Sequence, residues 1–185
     1  MTVSADIAKV KQAIKDFVGQ ISKTQSLIGM HTTVTTDSDG KVTAGRLSND
    51  RLVSEIAADL RQKTMGETTG TGSNFDRLSD LGFSGNGYDN QVSLTDENTL
   101  DTILREKMGD LEKFFSTEET RAGVAGAMAD YQAEEGMAEM MEDYTALLLG
   151  DIYGTEGSLE DHRDNYAKET DRIAKNIIDL EKRVQ

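Results

Sequence analysis

Cysteine, proline and tryptophan are absent from the 185 residues, and there are only ten other aromatic side chains and two histidines. Without cysteine the chain has no disulfides, thiolate metal sites, iron–sulfur clusters or cysteine nucleophiles. Usual proline usage would give roughly nine residues, so their absence favours long uninterrupted helices. Basic residues are also scarce. Twenty Lys and Arg face 34 Asp and Glu, a net charge of −14. So acidic a surface repels phosphate, which argues against nucleic acid or anionic membrane as partners. The longest apolar run is Ala146 to Leu149, far short of the ~20 residues that span a bilayer. No apolar stretch with a small-residue cleavage site follows the N-terminus, so no cleaved secretory signal is expected. The length suits one domain with an ample core.

What is present is helical periodicity. Val3, Ile7, Val10, Ile14, Phe17, Ile21, Thr24 and Ile28 alternate at spacings of four and three, a heptad seam. This predicts a helix over 3–28 that ends at Gly29 and buries its seam against a partner helix. HTTVTTDSDGKVTAG (31–45) places β-branched residues around a turn and predicts a short hairpin or extended loop. A second helix, 48–65, is expected with Ser48 as its cap. The small polar stretch GETTGTGSN (66–74) reads as a loop. Leu81, Phe83, Val92 and Leu94 flank Gly85-Asn86-Gly87 and predict a β-hairpin over 77–95. Thr95 would then cap a helix faced by Leu100, Ile103, Leu104 and Met108, completing a side module over 77–108. A short turn at Gly109-Asp110 would lead on to Leu111, Phe114 and Phe115. Residues 119–149 read as an acidic, Met-rich helical segment, followed by a loop. Leu159, Tyr166, Ile173 and Leu180 then repeat every seven residues, with Ile177 and Val184 on companion positions. This last helix, 159–184, reaches Gln185 without a cap signal, as a helix cut short would. Two heptad helices at opposite ends of a chain suggest an antiparallel stalk. The expected fold is mainly α with a small β-hairpin module, the shorter central helices packed around that stalk in a single domain.

Catalytic motifs are lacking. Asp37-Ser38-Asp39-Gly40 has the start of a calcium loop but neither its third ligand nor the Glu at position twelve, and suits a plain turn. His162 lies among acids, yet position 159 is Leu, where a di-iron helix needs Glu, and no second His stands four residues away. Acids at a helix N-terminus are ordinary, because they favour the positive end of the dipole. The glycine-rich stretches lack phosphate-loop spacing, and no strand–turn–helix elbow exposes a serine. No catalytic residue, metal ligand or cofactor is therefore expected. The acids have a distribution of their own: ten lie between Ala122 and His162 without one Lys or Arg. Glu135, Glu139, Glu142 and Asp143 share a helical face, beside Met137, Met140 and Met141. They can be an ordinary solvated face, or one that meets a basic partner with the methionines as an adaptable apolar contact.

The order of several short motifs resembles the C-terminal half of the bacterial flagellar filament-capping family (FliD, hook-associated protein 2). After the heptad helix comes Ala44-Gly45-Arg46-Leu47-Ser48-Asn49-Asp50, then Leu78-Ser79-Asp80-Leu81-Gly82-Phe83, the run Leu94 to Leu104, Leu111 to Phe115, and the terminal helix from Asp171 to Val184. Each motif is weak alone, and the ordered set covers most of the chain. Members of that family are usually longer, with an N-terminal helical segment and outer head domains, so the resemblance is to the leg region. It implies a structural protein without enzymatic activity, exported without a cleaved signal to the extracellular flagellum. Its implied partners are further copies of itself in a cap and flagellin, with room for an export chaperone. The rival reading is a cytosolic helical adaptor that binds a basic protein through its acidic face. A metal-dependent hydrolase using His162 ranks third.

Overall fold

The computed structural model describes residues 3–68, 71–116, 136–150 and 156–184. They fall into two compact units, Met1–Glu139 and Met140–Gln185. The first opens with helix α1 (Val3–Thr32), followed by strands β1 (Val34–Thr36) and β2 (Val42–Ala44) and helix α2 (Arg51–Met65). A 3₁₀ turn (Leu78–Leu81) leads to strands β3 (Phe83–Gly85) and β4 (Val92–Leu94) and helices α3 (Glu97–Glu106) and α4 (Met108–Phe115). Helix α5 (Met137–Leu149) begins in this unit and continues into the second, which also holds α6 (Ser158–Val184). The chain is thus mainly helical with two small antiparallel hairpins, as the sequence pattern requires. Val34 pairs with Ala44 in one, and Phe83 with Leu94 in the other.

The core of the first unit gathers Ile14 and Val18 of α1, Phe75, Leu78, Leu81, Phe83 and Val92, with Leu100, Ile103 and Leu104 of α3, Leu111 and Phe114 of α4, and Met137. The seam expected on α1 is only partly what is buried. Ile14 and Ile21 are inside, Ile7, Val10 and Phe17 pack at the margin, Thr24 is exposed, and Val18 and Gln25 take the remaining inner positions. The reason is the surface that α1 meets. It lies on α2, β4 and α3 together, and a helix on so broad a floor buries a wide face rather than a narrow seam. The inner face of α1 is covered by α2, β4 and α3, and every side chain of α6 from Arg163 to Lys182 is exposed.

Polar clips fix α1 on this floor. The Ser22 hydroxyl donates to the Val92 carbonyl at 2.7 Å and accepts the Val92 N–H at 3.0 Å, satisfying both backbone groups of that residue. Gln25 Nε2 donates to the Ala57 carbonyl of α2 at 2.9 Å. Lys11 meets Asp101 and Lys15 meets Glu97, each at 2.7 Å, tying α1 to α3.

Element boundaries depart from expectation where a better hydrogen-bonding group is available. Helix α1 runs through Gly29, since a single mid-helix glycine costs only about 1 kcal/mol, and it stops where the Thr33 N–H and hydroxyl both bond the Gly29 carbonyl. Asp50, not Ser48, caps α2 by accepting from Val53 N. Asp96, not Thr95, caps α3 by accepting from Thr99 N, because Thr95 donates its own N–H and hydroxyl to the Gly82 carbonyl. The hairpin expected over 77–95 is shorter, its first residues forming the 3₁₀ turn, and Gly109-Asp110 lies inside α4 rather than in a turn. Gly82 is a residue that no other can replace cheaply. Its φ is +89°, and a Cβ there would run into the Asp96 carbonyl.

Truncation of the fully buried Phe114 to Ala should cost about 3–5 kcal/mol, read as a lower midpoint in urea unfolding. The Lys15 ammonium, by its hydrogen bond, holds the Glu97 carboxyl below its ordinary range, with the charge of Lys11 adding to this. The Asp96 carboxyl is lowered by the hydrogen bonds from Thr99, backbone first. Lowered carboxyls bind fewer protons in the folded than in the unfolded chain. Their contribution to stability is complete above the ordinary carboxylate range and is lost as pH falls through the lowered values. NMR titration should find Glu97 below the usual glutamate range, and Lys15→Gln should bring it back up.

Candidate interaction surfaces

The chemistry-bearing side chains do not converge. Among the described residues, no three His, Asp or Glu side chains gather as metal ligands would. His31 is exposed at the end of α1, and His162 stacks edge-on against Tyr166 with ring centres 4.7 Å apart. Asp37 accepts the N–H groups of Asp39 and Lys41 at 3.0 and 2.8 Å, which makes 37–41 a self-contained turn. What the fold does present is a set of surfaces.

The first is α6. Leu159 is half-buried near its start, whereas Tyr166, Ile173, Ile177 and Leu180 are about half exposed, joined by Ile178. Val184 closes the heptad pattern, but its side chain lies outside the described residues, as does all of Glu135. Tyr166, Ile173, Ile177 and Leu180 draw one apolar line along a helix of 27 residues whose flanks carry both signs of charge. Arg163 pairs with Glu160 and Asp164, and these carboxylates hold its guanidinium above the ordinary arginine range, Asp164 foremost.

The second is the acidic side of α5. Glu142 and Asp143 are exposed and Glu139 is half-buried, its carboxylate accepting the Gly136 N–H at 3.3 Å at the start of the helix. The methionines beside them divide. Met140 is half-buried, while Met137 and Met141 are buried and thus occupied with packing in the chain itself. Residues 117–135, most of the first half of the expected acidic segment, lie outside the described residues.

Two hollows among the described residues add to these surfaces. One of about 480 Å³ is apolar and lies on α1 and α4, lined by Val10, Ala13, Ile14, Phe17, Met108, Leu111 and Phe115 with Glu112, Ser116 and Ala138 at its rim. Phe17 and Phe114 each meet Phe115 edge-on, with centroids 6.0 and 5.1 Å apart, so aromatic packing fixes its wall. The other, about 450 Å³, lies over α2 between Ala57, Ala58 and Met65, with Ser54, Arg61, Gln62, Gly66 and Asn90 around it. Asn90 belongs to the β3–β4 turn, which also holds Tyr88, a tyrosine 98% exposed. Sequence reasoning saw only a turn there. The available signal was an aromatic residue in the middle of Gly-Asn-Gly-Tyr-Asp-Asn, where a plain turn needs none.

Against known proteins, the family model described as flagellar hook-associated protein 2 C-terminus matches residues 1–185. No curated protein and no solved structure matches the chain.

The exposure of α6 sets an expectation for stability. Ile177→Lys should change the unfolding free energy of the chain by less than about 0.5 kcal/mol, while the same change at buried Ile21 should unfold it or cost several-fold more. Denaturant melts of the two variants compare the helices directly.

Proposed function

The chain belongs to the family described as the C-terminus of flagellar hook-associated protein 2, and on that premise we propose that it works at the growing filament tip. There it assembles with further copies of itself and helps arriving flagellin subunits to insert. The observation that carries this reading is the extent of the match, which takes in residues 1–185 rather than one motif. Membership makes the chain a flagellar, hook-associated structural protein of the filament-cap class.

The proposed work is mechanical and needs no bond made or broken. Helix α1, clipped to α2, α3 and β4, gives the leg a fixed frame. The apolar line of α6 from Tyr166 to Leu180 supplies an edge on which a neighbouring helix can pack, since heptad-spaced Ile and Leu are the residues that coiled-coil pairing buries. The exposed acids Glu142 and Asp143, with Glu139 behind them, supply a polar contact that orients a partner through charge rather than adding much affinity. Working at the tip makes the protein extracellular, and an export chaperone is a partner on the way there.

Gold-labelled antibody against the chain should decorate the distal ends of filaments in electron micrographs. Label spread along the filament, or confined to the cell interior, would sink the reading.

A further inference from the structure

We propose that Asn86-Gly87 is a self-modifying site: the Asn86 side-chain amide closes on the Gly87 backbone nitrogen, loses ammonia and opens with water to aspartate or isoaspartate. The chain has seven asparagines, and Asn86 alone is followed by glycine. With no side chain on Gly87, nothing obstructs closure of the ring. The pair lies in the exposed turn between β3 and β4, open to water and base. The attacking atom is also free, since no hydrogen bond among the described residues claims the Gly87 N–H. The Asp39-Gly40 pair in the β1–β2 turn differs, because its Gly40 N–H is tied to the Asp37 carbonyl at 3.1 Å.

The turn prepares the electrophile as well. Asn86 Oδ1 accepts the N–H groups of Tyr88 and Asp89 at 3.0 and 3.2 Å, so the side chain is folded forward along the Gly87 peptide. Two donors on one amide oxygen polarise its carbon and stabilise the negative charge the oxygen takes up as the ring closes. In that step a bond forms between Gly87 N and Asn86 Cγ, the attacking nitrogen gives its proton to base, and Nδ2 takes a proton from water and departs as ammonia. Water then opens the succinimide. Attack at Cγ yields aspartate, and attack at the backbone carbon yields isoaspartate, with a methylene inserted in the main chain. Either product undoes the turn that made it. Asn86 Nδ2 donates to Asp89 Oδ1 at 2.7 Å, and in the aspartate form a second carboxylate stands where that donor was. The disturbance ends at Val92, whose backbone groups Ser22 holds from α1. The modification needs no enzyme, adds a negative charge and accumulates with the age of the molecule.

Incubation of the full chain in heavy-oxygen water at mildly alkaline pH, followed by peptide mapping and mass spectrometry, tests the site. Aspartate and isoaspartate should accumulate at Asn86 ahead of the other six asparagines, with heavy oxygen taken up and ammonia released in step. The rate should rise with pH, because the Gly87 nitrogen must lose its proton. Asn86→Gln, whose ring would be larger, should lose the signal at this position. Hydrogen exchange of the aged chain should quicken at the Tyr88 and Asp89 amides while the Val92 amide keeps its protection. A synthetic peptide covering 83–92 supplies the rate without the fold. If Asn86 of the folded chain stays intact while the peptide is consumed, the turn protects its asparagine and the site is overturned. Modification spread evenly over the seven asparagines, or a rate indifferent to pH, overturns it as well.

Discussion

Helix α1 cannot stand alone, because one side of it carries Ile14, Val18 and Ile21 and water will not solvate them. The rest of the first unit is arranged around that need. Helix α2 and the module from Phe75 to Phe114 are far from α1 in sequence, yet both come to the same face of it. The hydrophobic stripe supplies the drive and the polar clips supply the register. A stripe of aliphatic side chains can slide by a turn at modest cost. The Ser22 hydroxyl between both backbone groups of Val92 cannot, since any slip would leave a buried donor and acceptor unpaired.

Charge follows a different logic. The bases of α1 lie where α3 places acids, so Lys11 and Lys15 serve the fold. Such part-exposed pairs add little stability each, and their use is to orient α3 on α1. The surplus that makes the chain −14 lies elsewhere. Outside the stretch from Ala122 to His162, 24 acids nearly balance 20 bases. The acids described within that stretch, at α5 and the start of α6, are mostly exposed and lack a basic side chain on their own helical turn until Arg163. The surplus acid is thus concentrated in one stretch of the sequence.

How much of this was legible in the sequence depended on whether the answer was local. The inner faces of α3 and α4 were readable because Leu100, Ile103, Leu104, Leu111 and Phe114 obey the helical period and all of them are buried. The caps were misread by one or two residues, since Ser48, Asp50, Thr95 and Asp96 are all competent caps, and tertiary hydrogen bonds decide among them. The floor beneath α1 was not legible for a deeper reason. A heptad seam says that a helix needs an apolar neighbour but not which one, and for α1 a hairpin and two helices serve as well as a coiled-coil partner. Of the candidate surfaces, the lines on α5 and α6 were visible as patterns. The groove beside Tyr88 was not, because it joins α2 to a turn some thirty residues later and no periodicity links them.

The β1–β2 ribbon remains, a hairpin whose six strand residues are all exposed and none of which enters the core. Its two ends are pinned together, since the Gly45 N–H bonds the Thr33 carbonyl and the Leu47 N–H bonds that of His31, both at 2.9 Å. A Cβ at Gly45 would strike the His31 carbonyl, so the approach of the two ends is as close as backbones allow. A loop closed so firmly at its base is nearly indifferent to its own length, each doubling costing only about 0.6 kcal/mol. The ribbon is therefore a port in the architecture. Many residues, even a folded domain with adjacent ends, can be spliced in between Thr36 and Val42 while the helices beneath keep their places.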